Sequence, residues 1–167
     1  AVEQRRASLF YSPTFALHAP RGGGRHPECP ERVTETIRFL EADETLMGTL
    51  ERVSPMEMDS EREEFVMKQL ERVHVRDHID EVKRLTMRGS SALDNDTYIN
   101  EYSFDVALLA ASSWMEAVDR VITSERCSFV LARPPGHHAL PVCAMGFCIF
   151  SNAAVSAKYA LDHLGLE

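Results

Sequence analysis

The most informative part of the sequence is residues 127–139, CSFVLARPPGHHA, in which an apolar run leads into a stiff turn. The run Cys127–Ala132 is typical of a β-strand that is covered on both faces. Two prolines restrict the turn and Gly136 permits an unusual backbone angle, so His137 and His138 stand on a rigid support. Parallel sheets bind ligands beyond the carboxyl ends of their strands, and imidazole exchanges a proton near neutral pH. Spacing alone leaves two hypotheses open: a catalytic pair, or two polar loop histidines without a role.

The patterns on either side of this segment predict strands that alternate with helices. Ala7–Tyr11 is short and apolar and predicts a strand, whereas the apolar residues of Ser103–Ser124 recur at steps of three and four and predict a helix. Ser151 or Asn152 is expected to cap a further helix, which runs to His163. This alternation predicts an α/β fold with a parallel sheet in a single domain. Further helices are predicted after Pro30 and over residues 61–73 and 76–88.

Composition and charge exclude several classes of protein. The formal net charge of the 167 residues is -8, which disfavours a nucleic-acid-binding surface, and no apolar run approaches the length of a membrane span. Residues 28–88 carry 26 charged side chains and residues 127–167 carry four, so we expect exposed amphipathic helices in the first stretch and a buried second stretch. The cysteines are expected to be buried, inert thiols of an intracellular protein. They are Cys29, Cys127, Cys143 and Cys148.

Three segments, in the same order along the chain, resemble the histone deacetylase family and particularly its class II members. The RPPGHHA element is followed by MGFCIFSNAA at residues 145–154. Upstream, His26-Pro27-Glu28 resembles the first active-site loop of the family, and residues 93–97, LDNDT, resemble the loop over its channel mouth. The resemblance implies zinc-dependent amidohydrolase activity and the three-layer arginase/deacetylase fold, an α/β fold with a parallel sheet. Residues 1–167 are then the N-terminal portion of a single histone-deacetylase-like domain.

The resemblance also implies roles for individual residues. His138 would be the general base that activates a metal-bound water and later protonates the leaving amine. His137 would be its electrostatic partner and would steady the oxyanion as charge develops. Gly146 and Phe147 would line the narrow tunnel that holds the acyl-lysine stem, where an aromatic wall suits an aliphatic chain.

Two further residues have a functional and a structural interpretation of similar weight. By resemblance, Asp96 would accept hydrogen bonds from backbone amides of the substrate at the rim of the tunnel. The run Asp94-Asn95-Asp96-Thr97 is also good turn chemistry, so a turn or helix-cap carboxylate is the alternative. Arg32 would lie near the inner end of the tunnel and contact the departing acetate, and an arginine on a helix surface is the alternative.

Zinc is the cofactor that the resemblance implies. In the family it is held by an Asp-x-His pair and a later Asp, and both lie beyond the position that matches Glu167. No metal ligand is therefore assigned within this chain, and the domain is expected to be truncated. It would be an N-terminal fragment, a truncated product, or one piece of a domain that another chain completes.

Two functions follow from the sequence. The first is zinc-dependent deacetylation, with N-acetyl-lysine in histones or other proteins, or an acetylated amine, as the substrate. The second is a non-catalytic fragment that serves as a binding or scaffold module. Self-association or a partner chain is expected, without direct nucleic-acid or membrane binding. The expected location is the nucleus or the cytoplasm, with an organelle left open.

Overall fold

The computed structural model describes residues 6–23, 25–89, 92–124 and 126–166. Strands and helices alternate along these residues, and two short 3-10 turns, Pro13–Leu17 and Arg21–Gly23, follow the first strand. The elements in chain order are β1 (Ala7–Phe10), α1 (Glu31–Glu41), α2 (Glu44–Thr49), β2 (Leu50–Val53), α3 (Ser60–Leu70), α4 (Arg76–Met87), α5 (Ser103–Ser124), β3 (Ser128–Val130) and α6 (Asn152–Asp162).

The strands form a parallel sheet in which β1 is central and the order is β2-β1-β3. Ser8 on β1 pairs with Glu51 on β2 and with Ser128 on β3. Parallel neighbours need crossover connections, which α1 and α2 supply before β2 and α3, α4 and α5 supply before β3. The carboxyl ends of the strands therefore lie at one edge of the sheet, and the turn that begins at Arg133 leaves from that edge.

Strand β2 is a correction to the expectation that residues 28–88 form exposed helices. Its sequence is LERV, in which two of four side chains are charged, so no apolar run marks it. The strand exists because its backbone pairs with β1 from Ala7↔Leu50 to Phe10↔Val53. Pairing of this kind joins segments that are distant in the sequence, and side-chain patterns along one segment do not reveal it.

Helix α5 contributes to two hydrophobic clusters of the described residues. Phe104, Leu108 and Met115 belong to the cluster formed with α3, α4 and α6. Val106 and Ala110 belong to a second cluster, which contains Leu9 of β1 and residues of α1. The first cluster also contains Ile149 and Phe150, which follow the histidine turn in the sequence. The core therefore anchors the far end of the loop that carries the histidines.

Two expectations about burial are wrong. Strand β3 is not covered on both faces within the described chain, because the side chain of Phe129 at its centre is 56% exposed. The buried character expected of the cysteines holds for Cys148, but Cys127 and Cys143 are exposed and Cys29 is half-buried. Residues 127–166 therefore present apolar and thiol groups to solvent where a fully buried stretch was expected.

The other predicted elements are confirmed with small shifts at their ends. Helix α5 has the predicted bounds, and α6 begins after Ser151, whose hydroxyl accepts a hydrogen bond of 3.4 Å from the Ala154 N–H. Strand β1 ends one residue before Tyr11. The helices predicted over 61–73 and 76–88 end at Leu70 and Met87. Within the described ranges, none of the helices combines the length and the apolar character that crossing a membrane requires.

Candidate functional site

The paired histidines lie on the turn that follows β3, as the sequence predicts. The imidazole rings of His137 and His138 are exposed, and their centroids are 4.2 Å apart with an angle of 47° between the ring planes. The turn rests on the beginning of α6, where the Ala153 N–H donates to the Gly136 carbonyl at 2.9 Å. A side chain at position 136 would have its Cβ 2.4 Å from Cγ of Asn152, so only glycine permits this approach.

A buried thiol holds the backbone beneath both rings. The N–H groups of His137 and His138 point at Sγ of Cys148, with N···S distances of 3.3 and 3.4 Å. The same sulfur lies 3.5 Å from the Gly146 carbonyl, which accepts from the thiol. Sequence analysis assigned Cys148 no role beyond the core. The sequence feature that could have indicated this role is the position of Cys148 in the run Gly146-Phe147-Cys148, shortly after the histidines.

Gly146 and Phe147 form a tight turn beside His138. Met145 and Cys148 bridge this turn with backbone hydrogen bonds of 2.9 and 3.1 Å. Both central residues have positive φ, 56° at Gly146 and 69° at Phe147, which is uncommon for a phenylalanine. A Cβ at Gly146 would lie 3.0 Å from Cδ2 of His138, so the absence of a side chain lets the turn approach the imidazole. The structure thus brings His137, His138, Gly146 and Phe147 together.

The aromatic side chain of Phe147 is part of a wall of rings that reaches back to the first loop. Its ring is 5.0 Å from the ring of His26, and His26 is 4.9 Å from Tyr98, both in edge-on geometry. The Phe147 N–H donates to the hydroxyl of Thr97 at 3.2 Å. Sequence analysis named His26 only as part of the first loop, and it did not single out Thr97 and Tyr98 as site residues. All three lie inside or beside two of the three segments that carry the family resemblance, which is the signal that could have found them.

Asp96 lies on the exposed loop that leads to this wall. Asp94 organises the loop, because its carboxylate accepts from the N–H groups of Asp96 and Thr97 at 2.9 and 2.6 Å. The carboxylate of Asp96 is exposed and accepts from the Thr97 hydroxyl at 3.2 Å. The turn role that sequence analysis considered for Asp96 therefore belongs mainly to Asp94. The rim role proposed for Asp96 stays a prediction.

Arg32 lies on the first turn of α1, and its side chain is 53% exposed. Its guanidinium is 3.5 Å from Oε1 of Glu28, four residues earlier. Glu28 is a buried carboxylate that also binds Tyr98 and Arg133. The structure thus connects Arg32 to the interior through Glu28, and the contact with acetate stays a prediction.

A buried ionic network is the main feature of the site that sequence analysis did not find. The guanidinium of Arg133 donates to Glu28 through Nε at 2.9 Å and Nη2 at 2.5 Å. The phenol of Tyr98 donates to Oε2 of the same carboxylate at 2.8 Å. Burial, followed by the negative charge of Glu28, raises the pKa of Tyr98 far above its usual value, so the phenol stays protonated. Arg133 is one of few charged residues in its part of the sequence, and that isolation was the available signal.

Buried histidines hold the elements around the site. Nδ1 of His18 is 2.7 Å from the Ser103 hydroxyl, and burial, followed by the charge of Arg133, lowers the pKa of His18 to about 3. Nε2 of His74 accepts from the Ser151 N–H at 2.9 Å, so its Nδ1–H donates to a loop carbonyl, that of Leu140. Burial, followed by the neighbouring His78, lowers the pKa of His74 to about 4. These neutral rings act as structural connectors.

The side chains that could bind a metal are scattered over the described ranges. Three or more His, Cys, Asp or Glu side chains do not converge anywhere in residues 6–23, 25–89, 92–124 and 126–166. A catalytic zinc generally needs three protein ligands and one open position. The residues that the structure describes therefore do not by themselves fit the zinc that the resemblance implies.

Comparisons with known proteins show the family and the fold. The family model described as "Histone deacetylase domain" matches residues 26–167. The chain is 35% identical to an uncharacterised protein of Synechocystis, over 96% of this chain and 50% of that protein. It is 37% identical to histone deacetylase 5 of Arabidopsis thaliana, over 95% of this chain and 24% of that protein. The solved HDA15 HD domain superposes with a TM-score of 0.81 at 30% identity, over 95% of this chain and 44% of that one. The chain thus spans half or less of the length of these relatives.

Proposed function

Because the chain belongs to the histone deacetylase family and has its arginase/deacetylase-like α/β fold, we propose that His137 and His138 serve the hydrolysis of an acetyl amide. The observation that carries the proposal is the constellation at the turn after β3. Two imidazoles lie 4.2 Å apart there, directly beside the turn of Gly146 and Phe147. The proposed substrate is N-acetyl-lysine in a histone or another protein, or another acetylated amine.

The proposed chemistry assigns proton transfer to His138. Its imidazole takes a proton from the attacking water as the water oxygen bonds to the amide carbon. When the carbon–nitrogen bond breaks, the same imidazole returns the proton to the leaving nitrogen, so acetate and a free amine are the products. His137, whose ring adjoins that of His138, stabilises the negative charge that develops on the carbonyl oxygen. Contributions of this kind are worth about 10²–10⁴-fold in rate for the acid–base group.

The proposed substrate site uses the surroundings of the pair. The aliphatic stem of the acylated lysine packs on the ring of Phe147, and the ring of His26 contacts that of Phe147 edge-on. The exposed carboxylate of Asp96 accepts hydrogen bonds from substrate amides at the rim. Arg32 attracts the acetate product, since its guanidinium is half exposed. Each of these roles is a proposal that rests on family membership and on the location of the residue.

Zinc is part of the proposal, but the described residues do not supply its ligands. The metal would polarise the amide carbonyl and acidify the attacking water. Its holders would then come from residues outside the described ranges or from another chain. Hydrolysis of an amide is consistent with the similarity to the histone deacetylase-like amidohydrolase of Pseudomonas aeruginosa, which is 32% identical over 98% of this chain and 45% of that protein.

The test is hydrolysis of an acetyl-lysine peptide by the purified chain with and without added zinc. Catalysis by this chain requires turnover that depends on added zinc and falls at least about 10²-fold in His138→Ala. His163→Ala is the matched control, because it also removes an exposed imidazole, at the end of α6 and away from the histidine turn. Turnover that survives His138→Ala would contradict the assignment of the general base. A lack of zinc-dependent turnover in the unmodified chain would contradict catalysis by this chain.

A second candidate function, the non-catalytic binding or scaffold module, is favoured by an exposed apolar groove. The groove has a volume of about 420 Å³ and lies between α5 and β3. Trp114, Val121, Ile122 and Phe129 line it, and Phe129 is 56% exposed. Apolar patches of this kind mark interaction surfaces. A chain that binds neither zinc nor peptide but forms a stable complex through this groove would support this second function.

A further inference from the structure

The guanidinium of Arg133 has an acceptor for every N–H group it carries. Nε and one N–H of Nη2 bind the two oxygens of Glu28, and the second N–H of Nη2 binds the Tyr98 hydroxyl at 2.6 Å. The Nη1 group donates to the carbonyls of Phe15, at 2.9 Å, and of His18. The side chain of Arg133 is 1% exposed and that of Glu28 is 0% exposed. A guanidinium has five N–H donors in a fixed planar fork, so this arrangement uses it completely.

Burial of this ion pair adds little to the free energy of unfolding. Removing two charges from water costs several kcal/mol per ion, and apolar replacements of buried pairs are often as stable. The chain also contains a pair closer to the surface, Arg62 with Glu116, at 14% and 9% exposure. The complete burial of Arg133 and Glu28 therefore indicates a geometric role, since directional hydrogen bonds determine orientation where apolar contacts do not.

The pair joins parts of the site that are far apart in the sequence. Arg133 lies four residues before His137 on the same stiff turn, and Glu28 lies 105 residues away in the first loop. Glu28 also orders that loop locally, because its N–H donates to Nδ1 of His26 at 3.1 Å. The ring of Tyr98, the third member, makes an edge-on contact with the ring of His26. The ring of His26 makes a second edge-on contact, with Phe147. The chain segment that leads into the histidine turn thus carries a guanidinium that contacts both the first loop, through Glu28, and Tyr98, which follows the rim loop.

We propose that Arg133 is a positioning residue, which keeps the His137–His138 turn in register with the wall formed by His26, Tyr98 and Phe147. This inference rests on the proposed function, in which the imidazoles and the wall act on one substrate. The network contacts no reacting group and acts only through the elements it joins. Lysine cannot replace Arg133, because an ammonium has three donors and lacks the planar fork.

The test measures geometry by NMR on the chain labelled at histidine, phenylalanine and glycine. Two nuclear Overhauser contacts report the arrangement: His26 to Phe147, with ring centroids 5.0 Å apart, and His138 to Gly146. In Arg133→Lys, we expect both contacts to be lost while circular dichroism shows a folded chain. Tyr98→Phe keeps the ring but removes the hydroxyl, and we expect the His26–Phe147 contact to weaken.

Arg62→Lys is the matched control. It makes the same chemical change in an ion pair between α3 and α5, with hydrogen bonds to Ser112 and Glu116. We expect this variant to lose stability and retain both contacts, which separates positioning from general destabilisation. Contacts in Arg133→Lys that match those in Arg62→Lys would overturn the proposal. If Arg133→Lys does not fold, an unchanged His26–Phe147 contact in Tyr98→Phe would overturn it.

The outcome is independent of hydrolysis, so the two proposals fail separately. If Arg133→Lys loses the contacts and the unmodified chain shows no deacylation, the positioning role is supported and the proposed function is contradicted. If Arg133→Lys keeps the contacts and the unmodified chain hydrolyses the peptide, the proposed function is supported and the positioning role is contradicted.

Discussion

Acidification should destabilise the fold through two buried histidines well before most carboxylates take up protons. Burial and neighbouring positive charge lower the pKa of His18 to about 3 and that of His74 to about 4, from the ordinary 6.5. At a pH between these pKa values of the folded chain and 6.5, the unfolded chain binds a proton at each ring and the folded chain does not. The contribution to stability is therefore complete above pH 6.5 and is lost as the pH falls.

The magnitude follows from the difference in bound protons. At pH 5 each ring is almost fully protonated in the unfolded chain and almost fully neutral in the folded one. The free energy of unfolding then falls by about 2 kcal/mol for each ring relative to its value near pH 7.5, and by about 4 kcal/mol for both. This result depends little on the folded pKa values, provided that they lie below 5. His78, whose pKa burial also lowers, acts in the same direction.

The assay is urea unfolding followed by circular dichroism over this pH range. His18→Gln and His74→Gln should each remove about 2 kcal/mol of the pH-dependent loss, although both variants start from lower stability. Val82→Ala, at a buried position of α4, is the control, because it destabilises the core without removing a titrating group, so its curve should run parallel to that of the unmodified chain. A pH dependence in both histidine variants equal to that of the unmodified chain would refute the reasoning.

Three further predictions concern packing and association. Gly136→Ala should destabilise the chain by about 1–3 kcal/mol in thermal melts, because its Cβ would overlap Asn152, whereas Gly48→Ala meets no atom within 4 Å and should not destabilise it. Cys148→Ala leaves the partly buried N–H groups of His137 and His138 without their sulfur acceptor and should cost about 1–3 kcal/mol; an unchanged urea midpoint would contradict this role for the sulfur. The chain should self-associate through the groove around Phe129, and Phe129→Glu should shift it to monomer in sedimentation velocity; a monomeric unmodified chain would be the contrary result.

The helices were the part of the fold that sequence predicted best. Ser103–Ser124 has the predicted bounds because its apolar residues recur at helical spacing over many turns, and this pattern is local. Strand β2 was missed because LERV carries no such pattern and is defined by its backbone partner. The expectation that β3 is covered on both faces was wrong. An apolar run shows that a strand is able to bury both faces, but it does not show whether other elements cover them, and the described chain leaves Phe129 exposed.

For the candidate site, the sequence by itself determined the family and the paired imidazoles. RPPGHHA places two histidines on a turn between a strand and a helix, and the covalent chain alone keeps them adjacent. Only the tertiary structure decided which groups surround them. Glu28, Tyr98 and Arg133 form one buried network across 105 residues of sequence, and no local pattern encodes that approach. The physical reason is that hydrogen-bond partners of a buried charge are selected by the folded topology, which brings distant loops to one edge of the sheet.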